Sequence, residues 1–241
     1  MTLGLIGGTG LDAWGTDGER SAVETPYGPP SGPLTSWSLP ACRLVFLPRH
    51  GPAHDIAPHR VNYRANLWAL KAQGVDAVVA VNAVGGITPP FEPGVLALPD
   101  QVIDYTWGRE HSIANGTLAP LDHVDFSQPF APELREKLQG AAVKAGVALH
   151  AGGCIGVTQG PRLETAAEIE RLRRDGCDLV GMTSMPEAAL ARELGLPYAS
   201  ICVVGNHAAG LGGEPLQMES IEARLAEAMT GVRSIIAKIS G

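Results

Sequence analysis

Hydrophobic positions along the chain fall into short blocks with two rhythms. Leu3 to Ile6, Arg43 to Leu47, Asp76 to Asn82, Val95 to Leu98, Gln101 to Ile103, Ala151 to Thr158, Leu179-Val180 and Tyr198 to Val204 predict strands. The run Asp76 to Asn82 (DAVVAVN) is apolar almost without alternation, the mark of a strand buried on both faces. Between these blocks, helical spacing predicts helices over Asn66 to Ala72, Pro132 to Ala145, Ala166 to Arg174, Glu187 to Leu194 and Ile221 to Ile239. Pro132 at the first position, Glu133 in the first turn and Gly146 just beyond delimit the second of them. Strands alternating with helices predict an α/β fold with a parallel or mixed sheet. Residues 107 to 129 carry neither rhythm, and an irregular polar stretch of roughly 20 residues in a compact domain is usually functional or an assembly surface.

Composition narrows this picture. The chain has 241 residues, 45% hydrophobic and 18% charged, with no linker or composition break, so a single domain over 1–241 is expected. A net charge of -7 argues against a nucleic-acid partner, which selects clustered Lys and Arg. No apolar run reaches the roughly 18 residues of a membrane span, and MTLGLIGGTG has no basic region of a secretion signal. Cys42, Cys154, Cys177 and Cys202 are scattered, which suits reduced thiols and a cytoplasmic location.

Chemistry gathers at the predicted strand ends. Gly7-Gly8-Thr9-Gly10 follows the first strand, where free backbone N–H groups and the Thr9 hydroxyl can hold an anion. Gly8 to Ala13 also fits the dinucleotide pattern G-x-G-x-x-A, but Gly15 to Gly18 interrupt the helix that pattern requires. Arg49 and His50 close the second long strand and can offer a guanidinium fork and a further donor. Asn82-Ala83-Val84-Gly85-Gly86 reads as a small-residue turn, and Met182-Thr183 closes another strand. These groups suit a phosphate dianion. No triphosphate P-loop, metal-ligand cluster or serine elbow occurs, so no metal or organic cofactor is expected. GPRLET places a lone carboxylate, Glu164, after a Gly-Pro turn, and Val203 to Asn206 ends a buried run in a lone carboxamide. Such a pair can read a ring that offers both a donor and an acceptor. From the residues alone, the reading stops at phosphate plus a polar heterocycle.

GLIGGTGLD, TPYGPPS, LPRHG, VNYRANLWAL, VNAVGG, GPRLET, GMTSMPEAALARELGL and YASICVV together resemble the trimeric purine nucleoside and methylthioadenosine phosphorylase family, from residue 3 to about residue 207. The resemblance implies one α/β domain with a mixed, partly barrel-like sheet flanked by helices, assembled as a homotrimer. It implies phosphorolysis of a nucleoside, with inorganic phosphate as co-substrate attacking C1′ with inversion. Carried onto this chain, it places phosphate at Thr9, Arg49, His50, Asn82, Ala83 and Thr183, puts Met182 under the ribose, and gives Glu164, Asn206 and His50 the catalytic contacts.

Within the family, Glu164 and Asn206 match the 6-oxopurine enzymes, whereas the methylthioadenosine enzymes carry aspartates at the positions of Asn206 and Ala208. The sugar side points elsewhere. Leu216 to Leu225 lacks the histidine expected for a 5′-hydroxyl, and Met218 and Ile221 resemble an apolar pair around a methylthio group; ordinary core packing is the competing explanation. His123 matches a residue that reaches the 5′ pocket from a neighbouring subunit, with plain solvent exposure as the alternative. His207 could line the base or sugar pocket. A 6-oxopurine joined to an apolar 5′ group makes 5′-methylthioinosine the expected substrate. Inosine or guanosine, methylthioadenosine at an altered base site, and a non-catalytic nucleoside- or dinucleotide-binding protein are the alternatives.

Overall fold

The computed structural model describes every residue except 9, 10, 12, 13, 15–17, 115–119, 213–217, 240 and 241; the side chains of 218–224 also lie outside the description. Along the chain run β1 (Thr2–Gly7), β2 (Glu19–Ser21), β3 (Leu34–Ser38), β4 (Arg43–Pro48), a 3-10 turn (Pro58–Arg60), α1 (Tyr63–Ala72) and β5 (Ala77–Gly86). They are followed by β6 (Leu96–Leu98), β7 (Gln101–Asp104), α2 (Pro132–Ala145), β8 (His150–Ala151) and β9 (Cys154–Val157). The chain continues through α3 (Ala166–Arg174), β10 (Leu179–Gly181), α4 (Ser184–Glu193), β11 (Tyr198–His207) and α5 (Met218–Lys238).

The period-two alternation of the long strands sorts their side chains onto two faces. Ile6, Val45, Leu47, Val78 and Ala80 pack with Leu67 and Leu70 of α1 and Ala188 and Leu190 of α4. Leu5, Leu44, Phe46, Val79 and Val81 pack on the other face with Leu134 and Leu138 of α2 and Val232 and Ile235 of α5. A smaller apolar group joins Ile169 and Leu172 of α3 to Val180 and Ala208. Helices therefore cover both faces, as near-continuous apolar strands require.

The sheet runs β2-β3-β4-β1-β5-β10-β9-β7, and β11 leaves it at β5 to carry β6 and β8. β1 lies parallel to β4 and β5, and β11 is parallel to β5 from Tyr198 to His207. β10 pairs antiparallel with Gly85 and Gly86 of β5 and parallel with β9. The sheet is thus mixed, with a fork at β5 that gives it its partly barrel-like form.

Two expectations are corrected here. Asn82 to Gly86 is not a turn but the continuation of β5, and β11 runs beyond its predicted end at Val204, through Asn206 to His207. In both, extension follows from pairing: β11 and β5 hold each other in register to Gly86 and His207, with a shift between Val204 and Asn206 that makes Gly205 a bulge. The sequence reading also misses β2 and β3, whose side chains are mostly half-buried or exposed and lack a clear period. Among the described residues, no helix is long and apolar enough to cross a membrane, and all four cysteines carry free thiols.

The fork depends on small residues at the end of β5. A Cβ on Gly86 would stand 1.8 Å from the carbonyl oxygen of Phe91, and the backbone there cannot turn aside as a side chain can. Gly140, exposed within α2, has nothing within 4 Å of such a position. Gly86→Ala should therefore destabilise the protein by about 3 kcal/mol or prevent soluble expression, as severe overpacking does. Gly140→Ala should stabilise it by about 0.5–1 kcal/mol through helix propensity. Thermal melts of both variants test the pair, and equal Tm values would refute this account of the fork.

Candidate active site

Four parallel strands, β1, β4, β5 and β11, end on the same side of the sheet, and β10 reaches that side through the fork. Ligands in open α/β sheets sit beyond such carboxyl ends. A cavity of about 370 Å³ opens there, within the range of a small-molecule site. Gly8, Arg49, His50, Asn82, Ala83 and Thr183 line one part of it, and Glu164, Met182, Asn206 and Ala208 line another.

Arg49 is 1% exposed and Glu187 is 0% exposed. Arg49 Nε and Nη2 each donate to a carboxylate oxygen of Glu187 at 2.8 Å, and Nη1 donates to Val81 O at 3.1 Å. Tyr198 Oη donates to the same carboxylate at 2.8 Å. The guanidinium fork is therefore spent on Glu187, and only its remaining N–H bonds are left for a ligand. Burial by itself pulls the guanidinium pKa down, but the charge and hydrogen bonds of Glu187 outweigh it and hold the pKa above its ordinary value.

His50 differs from the donor expected at this position. Its Nδ1 lies 2.8 Å from Ile56 O, and a carbonyl can only accept, so Nδ1 carries the proton. Burial, then the charge of Arg49, lowers its pKa to about 4, which keeps the ring neutral. Nε2, on the side of the ring that approaches Gly8, is consequently an acceptor. The His54 ring lies 5.0 Å away, held by a backbone with φ of 55°, and also lines the cavity.

Asn82 is a buried hub. Its Nδ2 donates to Ser184 Oγ at 3.0 Å and to Ser200 Oγ at 2.7 Å, while its Oδ1 accepts from Thr183 Oγ1 at 3.0 Å. All three of its partners belong to other segments, so Asn82 fixes the turn that carries Thr183 against β5 and β11.

On the opposite wall, Glu164 Oε1 accepts from Thr158 Oγ1 at 2.5 Å, which orients the carboxylate and leaves its other oxygen for the cavity. GPRLET also builds a helix start. Thr165 is the N-cap of α3 and forms a capping box with Glu168, whose carboxylate is held by Arg162 at 2.7 and 2.8 Å. Gly160 has φ of 61°, and a Cβ there would stand 2.5 Å from Met182 Sδ, so its bareness lets the loop close over Met182. Asn206 Nδ2 donates to His207 O at 2.6 Å, leaving one N–H and Oδ1 for a ligand. A second hollow of about 420 Å³ lies on the outer side of this loop and shares Glu164. Its cations are already committed, Arg162 to Glu168 and Arg171 to the face of Tyr105, so the first cavity is the better chemical site.

His207 stands apart. Strand alternation turns it away from the cavity that Asn206 and Ala208 line, and its Nε2 is 3.3 Å from Glu92 Oε2. His123 is exposed and does not line the cavity of its own chain. Thr9 and the side chains of Met218 and Ile221 lie outside the described residues. Leu225 of α5, which sequence reasoning does not single out, lines the cavity. Glu187, Thr158 and Arg109 were also missed. Glu187 reads as a first-turn helix acid, Thr158 as a strand end and Arg109 as a loop cation; the signal that could have singled out Glu187 is a carboxylate amid apolar helix positions.

Comparison with known proteins places this geometry. A model of the Phosphorylase superfamily matches residues 2–240. A probable S-methyl-5′-thioinosine phosphorylase of Xanthomonas campestris pv. campestris is 50% identical, covering 100% of this chain and 97% of the relative. A 6-oxopurine nucleoside phosphorylase of Pyrococcus furiosus is 40% identical over 98% of this chain and 91% of its own. Methylthioadenosine phosphorylase from Schistosoma mansoni, solved in complex with adenine, superposes with a TM-score of 0.93 at 32% identity, covering 99% of this chain and 90% of that one. With a sheet, a site and a full-length match that agree, this chain belongs to the Phosphorylase superfamily.

Proposed function

We propose that the protein is an S-methyl-5′-thioinosine phosphorylase, releasing hypoxanthine and 5-methylthioribose 1-phosphate. The observation that carries the proposal is the sharing of one cavity by an oriented carboxylate and carboxamide, Glu164 and Asn206, and by the Arg49, His50, Asn82 and Thr183 cluster. The names of the relatives in Xanthomonas campestris and Pyrococcus furiosus agree with a 6-oxopurine. The chain acts as one domain over 1–241, without metal or organic cofactor, in the cytoplasm and as a homotrimer in which His123 reaches a neighbour's 5′ pocket.

In this reading phosphate sits against Gly8, Arg49, His50 and Thr183. His50, an acceptor at Nε2, takes the hydrogen bond of a protonated phosphate oxygen, and the Thr183 hydroxyl turns its proton from Asn82 to the ligand. A phosphate oxygen forms a bond to C1′ as the C1′–N9 bond breaks. The electron pair leaves with the purine, whose imidazole ring takes up a proton as the protonated phosphate gives up its own on becoming the sugar monoester, and Asn206 stabilises that ring at N7. The sugar passes through an oxocarbenium-like state beside the phosphate, so position and charge both lower the barrier.

The Glu164 side-chain oxygen left for the cavity accepts from N1–H of hypoxanthine, whereas adenine would set one lone pair against another. Ala208, 2% exposed, gives a 6-amino group nothing to bond. At the sugar end, Leu225 supplies an apolar wall, and helical spacing puts positions 218, 221 and 225 on one stripe of α5. A 5′-methylthio group suits such a stripe better than a hydroxyl does. Inosine phosphorolysis is the second reading, favoured by the Pyrococcus furiosus relative.

Steady-state kcat/KM in phosphate buffer should rank methylthioinosine first. Methylthioadenosine should fall about 100-fold below it, the cost of one unsatisfied buried acceptor. Inosine should fall by about 10-fold, a difference set by apolar contact. A preference for methylthioadenosine would sink the base assignment, and parity with inosine would sink the sugar assignment.

Removing the charge of Glu187 while keeping its shape tests the phosphate wall. Glu187→Gln leaves Arg49 buried without a counter-charge and should cost about 3–5 kcal/mol of stability, seen as a lower Tm together with a raised KM for phosphate. An unchanged Tm would mean the pair is not the strut described. The pH profile gives an independent check. Because His50 takes a proton only near pH 4 rather than near the ordinary value of about 6.5, its acceptor form persists as pH falls through the ordinary histidine range. The profile of kcat/KM for phosphate should therefore show no acid limb that vanishes in His50→Gln; an acid limb near pH 6.5 that His50→Gln abolishes would refute the neutral assignment.

A further inference from the structure

β9 and β10 are parallel neighbours, and their ladder ends at Val157 and Gly181. Past that point β9 enters the loop that carries Glu164, and β10 enters the turn that carries Met182 and Thr183. The last link of the ladder type is Thr158 N donating to Gly181 O at 2.9 Å. Beyond it, one side chain from the irregular stretch after β7 takes over. Arg109 Nη2 donates to Thr158 O at 3.3 Å and Gln159 O at 2.8 Å, and its Nε donates to Gln159 Oε1 at 3.1 Å. On the other side, Nη1 donates to Met182 O at 2.8 Å and Met185 O at 2.6 Å.

The remaining contacts are with Tyr63. Arg109 Nη1 lies 3.3 Å from Tyr63 Oη, and the guanidinium carbon lies 5.6 Å from the centroid of its ring. Tyr63 Oη in turn donates to Pro58 O at 2.9 Å, and Pro58 lines the cavity. Burial lowers the Arg109 pKa, which Tyr63 and Asp104 partly offset, so this cation sits where desolvation works against it. Its hydrogen-bond partners are carbonyl oxygens, an amide oxygen and a phenol. A planar fork with donors on three nitrogens can span them; a lysine ammonium cannot.

We infer that Arg109 is a positioning residue that locks the base-side loop to the phosphate-side turn, so that occupation of one half-site organises the other. The inference rests on the functional reading above, in which Glu164 holds the base and the Thr183 turn holds phosphate. Its physical basis is that both loops must be placed to within a fraction of an ångström for the C1′ displacement, and the guanidinium is bonded to the backbone of both. Thr158 completes the chain of contact, because its carbonyl is held by Arg109 while its hydroxyl orients Glu164. Coupling through such a link is reciprocal: phosphate should change the affinity for hypoxanthine by the factor by which hypoxanthine changes that for phosphate.

The test is calorimetric titration of hypoxanthine with and without inorganic phosphate, on the wild-type protein and on Arg109→Lys, alongside kcat/KM and Tm. The wild type should show a phosphate-dependent change in hypoxanthine Kd of about 5-fold or more. In Arg109→Lys that ratio should fall towards 1, and kcat/KM should drop about 10- to 100-fold, as a displaced reacting geometry predicts. A variant with a lower Tm but the wild-type ratio would show Arg109 to be structural only and overturn the inference, as would a wild-type ratio of 1. Gln159→Leu removes the side-chain part of the same link and stands in if Arg109→Lys does not fold; it should reduce the ratio at least by about half, and an unchanged ratio would count against the proposal. A wild type that binds hypoxanthine but shows no phosphate-dependent phosphorolysis would instead defeat the functional reading and leave the coupling measurement to judge Arg109 separately.

Discussion

A strand has two edges, and β5 has three neighbours. β11 follows one edge for the whole length of their pairing, so β1 and β10 must divide the other, β1 at Ala77 to Ala80 and β10 at Gly85 and Gly86. That division needs a place where the sheet can split, and bare glycine backbone supplies it. The split turns β10 and β9 across the ends of the parallel strands, which is how a carboxylate on the β9–α3 loop comes to share a cavity with the ends of β4 and β5. Were β10 simply the next strand in an open sheet, Glu164 and Arg49 would lie at separate sheet positions. The fork is thus a condition for the site as well as a feature of the fold.

Electrostatics inside the cavity follow from how its cations are neutralised. Arg49 is matched by Glu187 in a fully buried pair, an arrangement whose net stabilising value is small because desolvation offsets attraction. Its consequence for a bound phosphate is larger. In the proposed reaction, a cation already paired does not cancel the anion's charge, so a phosphate held by N–H and O–H dipoles would keep its negative charge available beside C1′. An unpaired arginine would bind ground-state phosphate more tightly and leave less field for the developing oxocarbenium ion. Catalysis depends on that difference rather than on ground-state affinity. Neutral His50 fits the same logic, since an imidazolium would add a second uncompensated positive charge.

Much of this was legible in the sequence because the signals are local. Pro132, Glu133 and Gly146 bracket α2 as read, and the apolar rhythm marks β1, β4 and β5. Strand ends carrying Arg49, Thr183 and Asn206 are visible for the same reason, because small or polar residues interrupt an apolar run. What stayed hidden is non-local. Glu187 pairs with a residue 138 positions away; its apolar helix neighbours hint at burial, but nothing local names Arg49 as its partner. Arg109 sits in a stretch without period and reaches positions 46 to 76 residues distant. The extension of β5 through Gly85 and Gly86 looked like a turn because glycine is a turn signal, and only pairing with β11 and β10 overrides it. His207 shows the converse error: adjacency in sequence to Asn206 suggested a shared role, while strand alternation sends it to Glu92.

The two ends of the proposed substrate are recognised by different physics, and they should differ in stringency for that reason. At the base, Glu164 and Asn206 are held by Thr158 and by the His207 carbonyl, so a ring with the wrong donor pattern meets groups that cannot turn aside. Discrimination by unpaired buried polar groups is steep. At the proposed sugar end, Leu225 offers contact without direction. Apolar contact distinguishes a methylthio group from a hydroxyl only by the burial of a few atoms and the desolvation of one oxygen, which is a shallow preference. In the proposed reading the base-reading groups, Asn206 and Glu164, sit on β11 and on the loop capped into α3, and Leu225 at the sugar end sits on a separate helix. Changes in one need not disturb the other, so a common phosphate wall can serve enzymes that differ in base, in sugar substituent, or in both.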